Sequence, residues 1–167
     1  MYMHTLVSAR PQAHKTLRDD ARLLVEQCAG GQSRRAARLI TQFLDRQMAE
    51  TGLGVAQLGL LAQIAAMSDD TLSALAQRTG LEQSTLSRNL RTLESEGLVE
   101  IAAAGTDLRR RMVWLTETGA RRLEAAIPVW REAHAQLASR LSPDLARRLA
   151  DAAEALIERE ASGIERR

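Results

Sequence analysis

Read by its apolar positions alone, the chain is a series of helical stripes interrupted once by a short stretch of alternation. Leu72, Leu75 and Ala76 share one face of a short helix. Gly80-Leu81 breaks that pattern, and Leu86, Leu90 and Leu93 form a narrow stripe on a second helix expected over 83–96. Ser84, Arg88, Arg91 and Ser95 lie opposite the stripe, with Thr85 and Ser87 flanking it near the N-terminal end. Glu82 precedes this helix and is a poor N-cap beside Asp or Ser. Gly97 ends it. Residues 98–102 and 112–116 are β-prone, and the loop between them is longer than a tight turn needs, with Arg109, Arg110 and Arg111 at its tip. Val113 and Leu115 then point one way, and Met112 and Trp114 the other. A helix pair joined by a tight glycine turn and followed by a basic hairpin reads as a winged helix-turn-helix.

Helices are expected on both sides of this segment. Leu17, Ala21, Leu24 and Cys28 start one from His14, after a tail over 1–13 that contains Pro11. Gly30-Gly31 weakens the pattern, because each glycine costs about 1 kcal/mol relative to alanine in a helix; the pair either breaks or kinks it. Leu39, Ile40, Phe43, Leu44 and Met48 resume it, and Gly52 closes it. Over 55–67, Leu58, Leu61, Ala62 and Ala65 fill one face while Leu60, Ile64 and Met67 fill another. A helix apolar on most sides should be a buried central strut. Ser68-Asp69-Asp70 supplies N-cap candidates for the helix that follows.

Thr116 is a plausible N-cap for a long helix from 117. Its positions Leu123, Ile127, Trp130, His134, Leu137 and Leu141 alternate steps of four and three, a seam that normally faces another helix. That seam is expected to recruit a second copy of the chain. Pro128 should kink the helix near Glu124. Ser142 as N-cap and Pro143 start a last helix carrying Leu145, Leu149, Ala152 and Leu156.

Composition narrows this picture only a little. Apolar residues make up 45% of the 167, enough for a core, but aromatics are only 2%, so Leu, Ala, Ile and Met must build it. Net charge is only +2, so a surface for a polyanion must come from local clustering. Lys15 is the single lysine, and arginine is the better partner for phosphates and base edges. No stretch approaches the length of a membrane span and no leader pattern follows Met1, so a cytoplasmic chain is expected. With one cysteine, Cys28, no internal disulfide or cysteine-based metal site can form. There is no nucleophile beside a base, no acid–base carboxylate pair and no phosphate-cradling glycine loop, so no enzyme, cofactor or metal site is expected.

The segment Leu81-Glu82-Gln83-Ser84-Thr85-Leu86-Ser87-Arg88-Asn89-Leu90 is followed by Leu93-Glu94 and Gly97-Leu98-Val99, then Asp107-x-Arg109 and Val113-x-Leu115-Thr116-x-x-Gly119. In this order and spacing it resembles the MarR family of winged helix-turn-helix regulators, over about 33–160. The resemblance implies a dimeric DNA-binding regulator on an inverted repeat, mostly a repressor of its own or a neighbouring operon. It implies a major-groove role for Ser84, Thr85, Ser87, Arg88 and Arg91. Arg109 would reach the minor groove, oriented by Asp107, with Arg110 beside it. It also implies a homodimer built from helical segments over 14–52 and 117–162, flanking a DNA-binding region over 55–116. A small effector, often an aromatic or phenolic acid, would release the DNA. Physical chemistry agrees with these roles, since arginine can read guanine bidentately and an arginine on a hairpin suits a narrow minor groove.

Plainer roles remain for several residues. Arg88, Arg91 and the 109–111 run could be solvated surface, and Asp107 a turn residue. One branch of the family senses hydroperoxides through a cysteine held near tyrosines; here the only tyrosine is Tyr2, so Cys28 reads rather as a small core or interface residue, with redox sensing as the alternative. His134 should be a packed histidine with one hydrogen bond satisfied. A further alternative is a helical dimer that acts through protein partners with a degenerate DNA-binding motif.

Overall fold

The computed structural model describes residues 15–68, 70–104, 107–142 and 144–164, with backbone alone at 15, 104, 107–110 and 157–164. The tail over 1–13, the cap candidate Asp69 and Pro143 lie outside the described residues. The chain divides into two compact units, 1–40 and 41–167. The elements in order are α1 (Lys15–Gln27), α2 (Ala29–Gln47), a 3-10 turn (Ala49–Thr51), α3 (Val55–Ala66), α4 (Leu72–Thr79), α5 (Gln83–Ser95), β1 (Val99–Ala104), β2 (Asp107–Leu115), α6 (Glu117–Ala138) and α7 (Leu145–Ile164). The architecture is mainly α with a two-stranded antiparallel wing, as the periodicities predict. No helix among the described residues is long and apolar enough to cross a membrane.

In the first unit, the helix interruption falls on Cys28 rather than on the glycines. Gly30 and Gly31 sit inside the first turns of α2, and backbone bonds from Cys28 N–H to Leu24 C=O and from Gln32 N–H to Cys28 C=O (both 3.0 Å) run across the break. Cys28 is exposed in the single chain, which removes the core half of the core-or-interface expectation. Leu17, Leu24 and Val25 of α1 are exposed as well.

The second unit holds the core: Met48, Leu61, Leu75, Leu93, Leu98 and Val113 are its most deeply buried large side chains. The start of α3 is tied down at two points. The Asp45 carboxylate accepts the Val55 N–H at 2.7 Å, and the Gln57 side-chain carbonyl accepts the Gly54 N–H at 3.0 Å. Leu58, Leu60, Leu61 and Ile64 bury one side of α3, but Ala62 and Ala65 are exposed. The expectation of a helix covered on most sides therefore fails, because small apolar residues tolerate water and do not mark the buried face.

The seam on α6 also behaves differently from its reading. Leu123 is buried in the chain's own core, and Ile127 and Trp130 pack against that core, so this half of the seam is covered by the chain itself rather than by a second copy. A four–three spacing identifies a face and leaves open what covers it. α6 runs on through Pro128. Its start is anchored by Arg122, whose guanidinium donates to the Thr51 carbonyl at 2.8 Å. On α7, Leu145, Leu149 and Leu156 are exposed.

Candidate nucleic-acid interface

The interface is assembled from α4, α5 and the wing. The cap of α4 is Thr71 rather than any residue of 68–70: its hydroxyl accepts the Ala74 N–H at 3.2 Å. Leu75 is fully buried, and Gly80 stops the helix in the left-handed region (φ 60), where its N–H reaches the Ala76 carbonyl. Glycine adopts that conformation without the steric penalty other residues meet, so the turn into α5 can be abrupt.

α5 starts without a side-chain cap, as Glu82 predicts; the Glu82 carbonyl instead accepts the Thr85 and Leu86 N–H groups at 2.9 and 3.0 Å. Leu86, Leu90 and Leu93 are buried, which turns the polar face outward. Ser84, Thr85, Arg88 and Arg91 are exposed and Ser87 is half-buried. Among the described residues, the guanidinium groups of Arg88 and Arg91 have no ion pair or hydrogen bond. At the other end, Gly97 (φ 68) donates to the Glu94 carbonyl and Leu98 to the Leu93 carbonyl, each at 2.9 Å. This paired closure satisfies orphan carbonyls and redirects the chain into β1.

The wing is longer than the sequence pattern suggests. β1 extends to Ala104 and β2 begins at Asp107, where a loop over 103–110 was expected. Pairing runs from Val99↔Leu115 through Ala103↔Arg111, then jumps to Ala104↔Asp107. The surplus residues 108–110 are therefore absorbed as a bulge within the strand rather than in a loop. Arg109 and Arg110 belong to that bulge by backbone, and Arg111 is a paired strand residue, not a tip residue. The side chains of Asp107, Arg109 and Arg110 lie outside the described residues, and with them the expected Asp107–Arg109 pairing.

Two connections hold these parts in register, and of them only the Thr116 cap has a sequence signature. The Val113 N–H donates to the Asp70 carbonyl at 2.8 Å, and Thr71 forms an isolated bridge to Met112, so the wing fixes the entry to α4. Thr116 accepts the Gly119 N–H at 3.0 Å, capping α6 as expected, and also donates to the Gly97 carbonyl at 2.6 Å. One side chain thereby joins the exit of α5 to the start of α6. Between α4, α5 and the wing lies an open groove of about 700 Å³, lined by residues that include Leu72, Ser73, Ser87, Arg91, Ile101 and Arg111.

No cluster of His, Cys, Asp and Glu among the described residues could hold a metal ion. His134 rests its ring against Trp130, with centroids 4.4 Å apart. Its Nδ1 is buried without a hydrogen-bond partner among the described residues, contrary to the satisfied bond its seam position suggested. Trp114 is half-buried on the wing, on the face opposite Val113.

A sequence profile of the MarR family matches residues 51–110, the stretch from the 3-10 turn to the wing. Transcriptional regulator HosA of Escherichia coli O127:H6 is 34% identical over 84 residues, covering 44% of this chain and 62% of HosA. The phenylalanine–tRNA ligase alpha subunit of Pyrococcus horikoshii is 37% identical over 76 residues, or 46% of this chain and 14% of the subunit. These alignments thus reach less than two thirds of either curated relative. The transcriptional regulator MosR of M. tuberculosis, crystallised with DNA, superposes with a TM-score of 0.71 at 36% identity, covering 79% of this chain and 98% of that one.

Proposed function

The chain belongs to the MarR family of DNA-binding transcriptional regulators, and we propose that it acts as a homodimeric repressor whose operator is an inverted repeat. The observation that carries this reading is α5 itself. Its leucines are buried, while Ser84, Thr85, Arg88 and Arg91 stand exposed, their guanidiniums without a partner among the described residues, beside a wing whose backbone carries Arg109 and Arg110. Hydroxyl and guanidinium groups are the donors that phosphates and guanine edges accept. A crystal structure of MosR with DNA supports the same use of the fold.

Dimerisation is supported by uncovered apolar surface at both ends of the chain. Leu17 and Leu24 on α1 and Leu145, Leu149 and Leu156 on α7 repeat at helical spacing and are exposed in the single chain. Exposed leucines repeated along a helix mark each of these helices as an interaction face. A symmetric pair would present two copies of α5, reading half-sites about 34–36 Å apart or a multiple of that spacing. Release by a small molecule, aromatic or phenolic acids being the class the family resemblance implies, requires that it bind the DNA-incompetent arrangement more tightly than the competent one.

The exposed thiol of Cys28 supports oxidation as a second trigger. A peroxide response of DNA binding that disappears in Cys28→Ser would select it over a ligand. The central test is selection of bound sequences from random duplexes by the full chain. Enrichment of a palindrome supports the proposal; enrichment of nothing refutes it and favours action through protein partners.

A further inference from the structure

The DNA-binding reading puts α5 in a major groove and the wing in the neighbouring minor groove. A single sugar–phosphate strand separates those two grooves. A chain that occupies both must straddle that strand, and the space it leaves for it is the open groove between α5 and the wing.

The walls of this groove are charged in a way the sequence did not reveal. Arg91 lines it from α5 and Arg111 from β2. Arg111 arrives there through register: Val113 pairs with Ile101 and Arg111 with Ala103, so Arg111 shares the strand face of the fully buried Val113. It is thus turned toward the helices, not outward from a loop tip. Both arginines are exposed, and neither has an ion pair or hydrogen bond among the described residues. Leu72 and Ile101 give the groove apolar surface suited to deoxyribose, and the Ser73 and Ser87 hydroxyls add neutral donors.

We propose that this groove seats the phosphodiester strand between the two DNA grooves, with Arg91 and Arg111 gripping its phosphates from opposite sides. The proposal rests on the DNA-binding reading, adds Arg111 to the interface and moves Arg91 from base reading to backbone binding. Glu82 and Glu94 line the same groove and oppose phosphate. The arginines must therefore supply the attraction, and Glu94 weakens it.

The test uses the full chain with a selected duplex and a scrambled duplex, titrated by fluorescence anisotropy across a salt series. Arg91→Ala and Arg111→Ala should each flatten the slope of log affinity against log salt by about 0.9, so each variant's deficit narrows about threefold between about 50 mM and 200 mM salt. Each should weaken both duplexes by the same factor, leaving the preference for the selected sequence unchanged. Glu94→Gln should tighten both, a gain that a misfolded variant cannot produce. Arg88→Ala, in contrast, should lose preference. An unchanged slope in Arg111→Ala, or a loss confined to the selected duplex in Arg91→Ala, overturns the clamp while the DNA-binding reading stands. A wild-type chain that binds neither duplex overturns both.

Discussion

Replacing Gly119 by alanine would place a Cβ 1.9 Å from the Leu98 carbonyl oxygen, 2.8 Å from its carbon and 3.2 Å from its Cα. Ordinary contact needs about 3.5 Å. These are backbone atoms, so no rotamer change relieves the overlap. Leu98 cannot step aside either. Its N–H is bonded to the Leu93 carbonyl at 2.9 Å, its carbonyl accepts the Thr116 N–H at 3.2 Å, and its side chain is 1% exposed. Relief means lifting α6 off the start of β1, which strains the core and breaks the Thr116 bond. Overpacking costs about 1–3 kcal/mol and a lost hydrogen bond about 1, so a loss of about 3 kcal/mol is expected. For a chain of this size that lowers Tm by about 6–12 °C. Gly59→Ala is the matched control: nothing lies within 4 Å of its new Cβ, and it sits in the middle of α3. There alanine should stabilise by about 1 kcal/mol and raise Tm by about 2–4 °C. Thermal unfolding followed by far-UV circular dichroism, at equal chain concentration because a dimer's Tm depends on it, measures both. Two shifts of the same sign, or an unchanged Tm for Gly119→Ala, would refute the argument from close backbone approach.

Arg109→Ala should weaken operator binding and flatten the salt dependence by about one phosphate-equivalent; equal affinities and slopes across a salt titration would remove Arg109 from the interface. Thr116→Val keeps the shape but loses the bonds to the Gly119 N–H and the Gly97 carbonyl. A destabilisation of about 1–2 kcal/mol should appear in urea unfolding, and a midpoint matching wild type would show that the junction carries little. Leu149 is exposed on α7, so Leu149→Glu should leave the fold intact while shifting sedimentation toward a single chain and lowering operator affinity. A variant that sediments as wild type and binds equally would place the dimer contact elsewhere.

What could be read from the sequence was what local periodicity and capping chemistry encode. The stripe of Leu86, Leu90 and Leu93, the weak cap at Glu82, the stop at Gly97 and the cap at Thr116 all have the roles their spacing implies. The errors share a cause: the deciding partner is distant in sequence. Ala103 and Ala104 carry no alternation, so nothing local announced that the wing would pair through them. Alanines on α3 look apolar on paper yet face outward. The seam on α6 was visible, but its covering by the chain's own core was not. The groove was hidden for the same reason, since its walls come from α4, α5 and both strands. Thr71, not the acidic run before it, caps α4, and the same short segment bridges to β2 at Met112.

The bulge at residues 108–110 separates two requirements that a regular hairpin would tie together. In an uninterrupted ladder, inserting one residue turns every later side chain to the opposite face, so Val113 would leave the core. Here the register is already released between Ala103 and Ala104, beyond the last pair that matters for packing. Residues can be gained or lost on the tip side of Arg111 while Val113 and Leu115 stay where the core needs them. The reach of the wing is thus a length that evolution or an engineer can alter one residue at a time, with the fold's stability left out of the change.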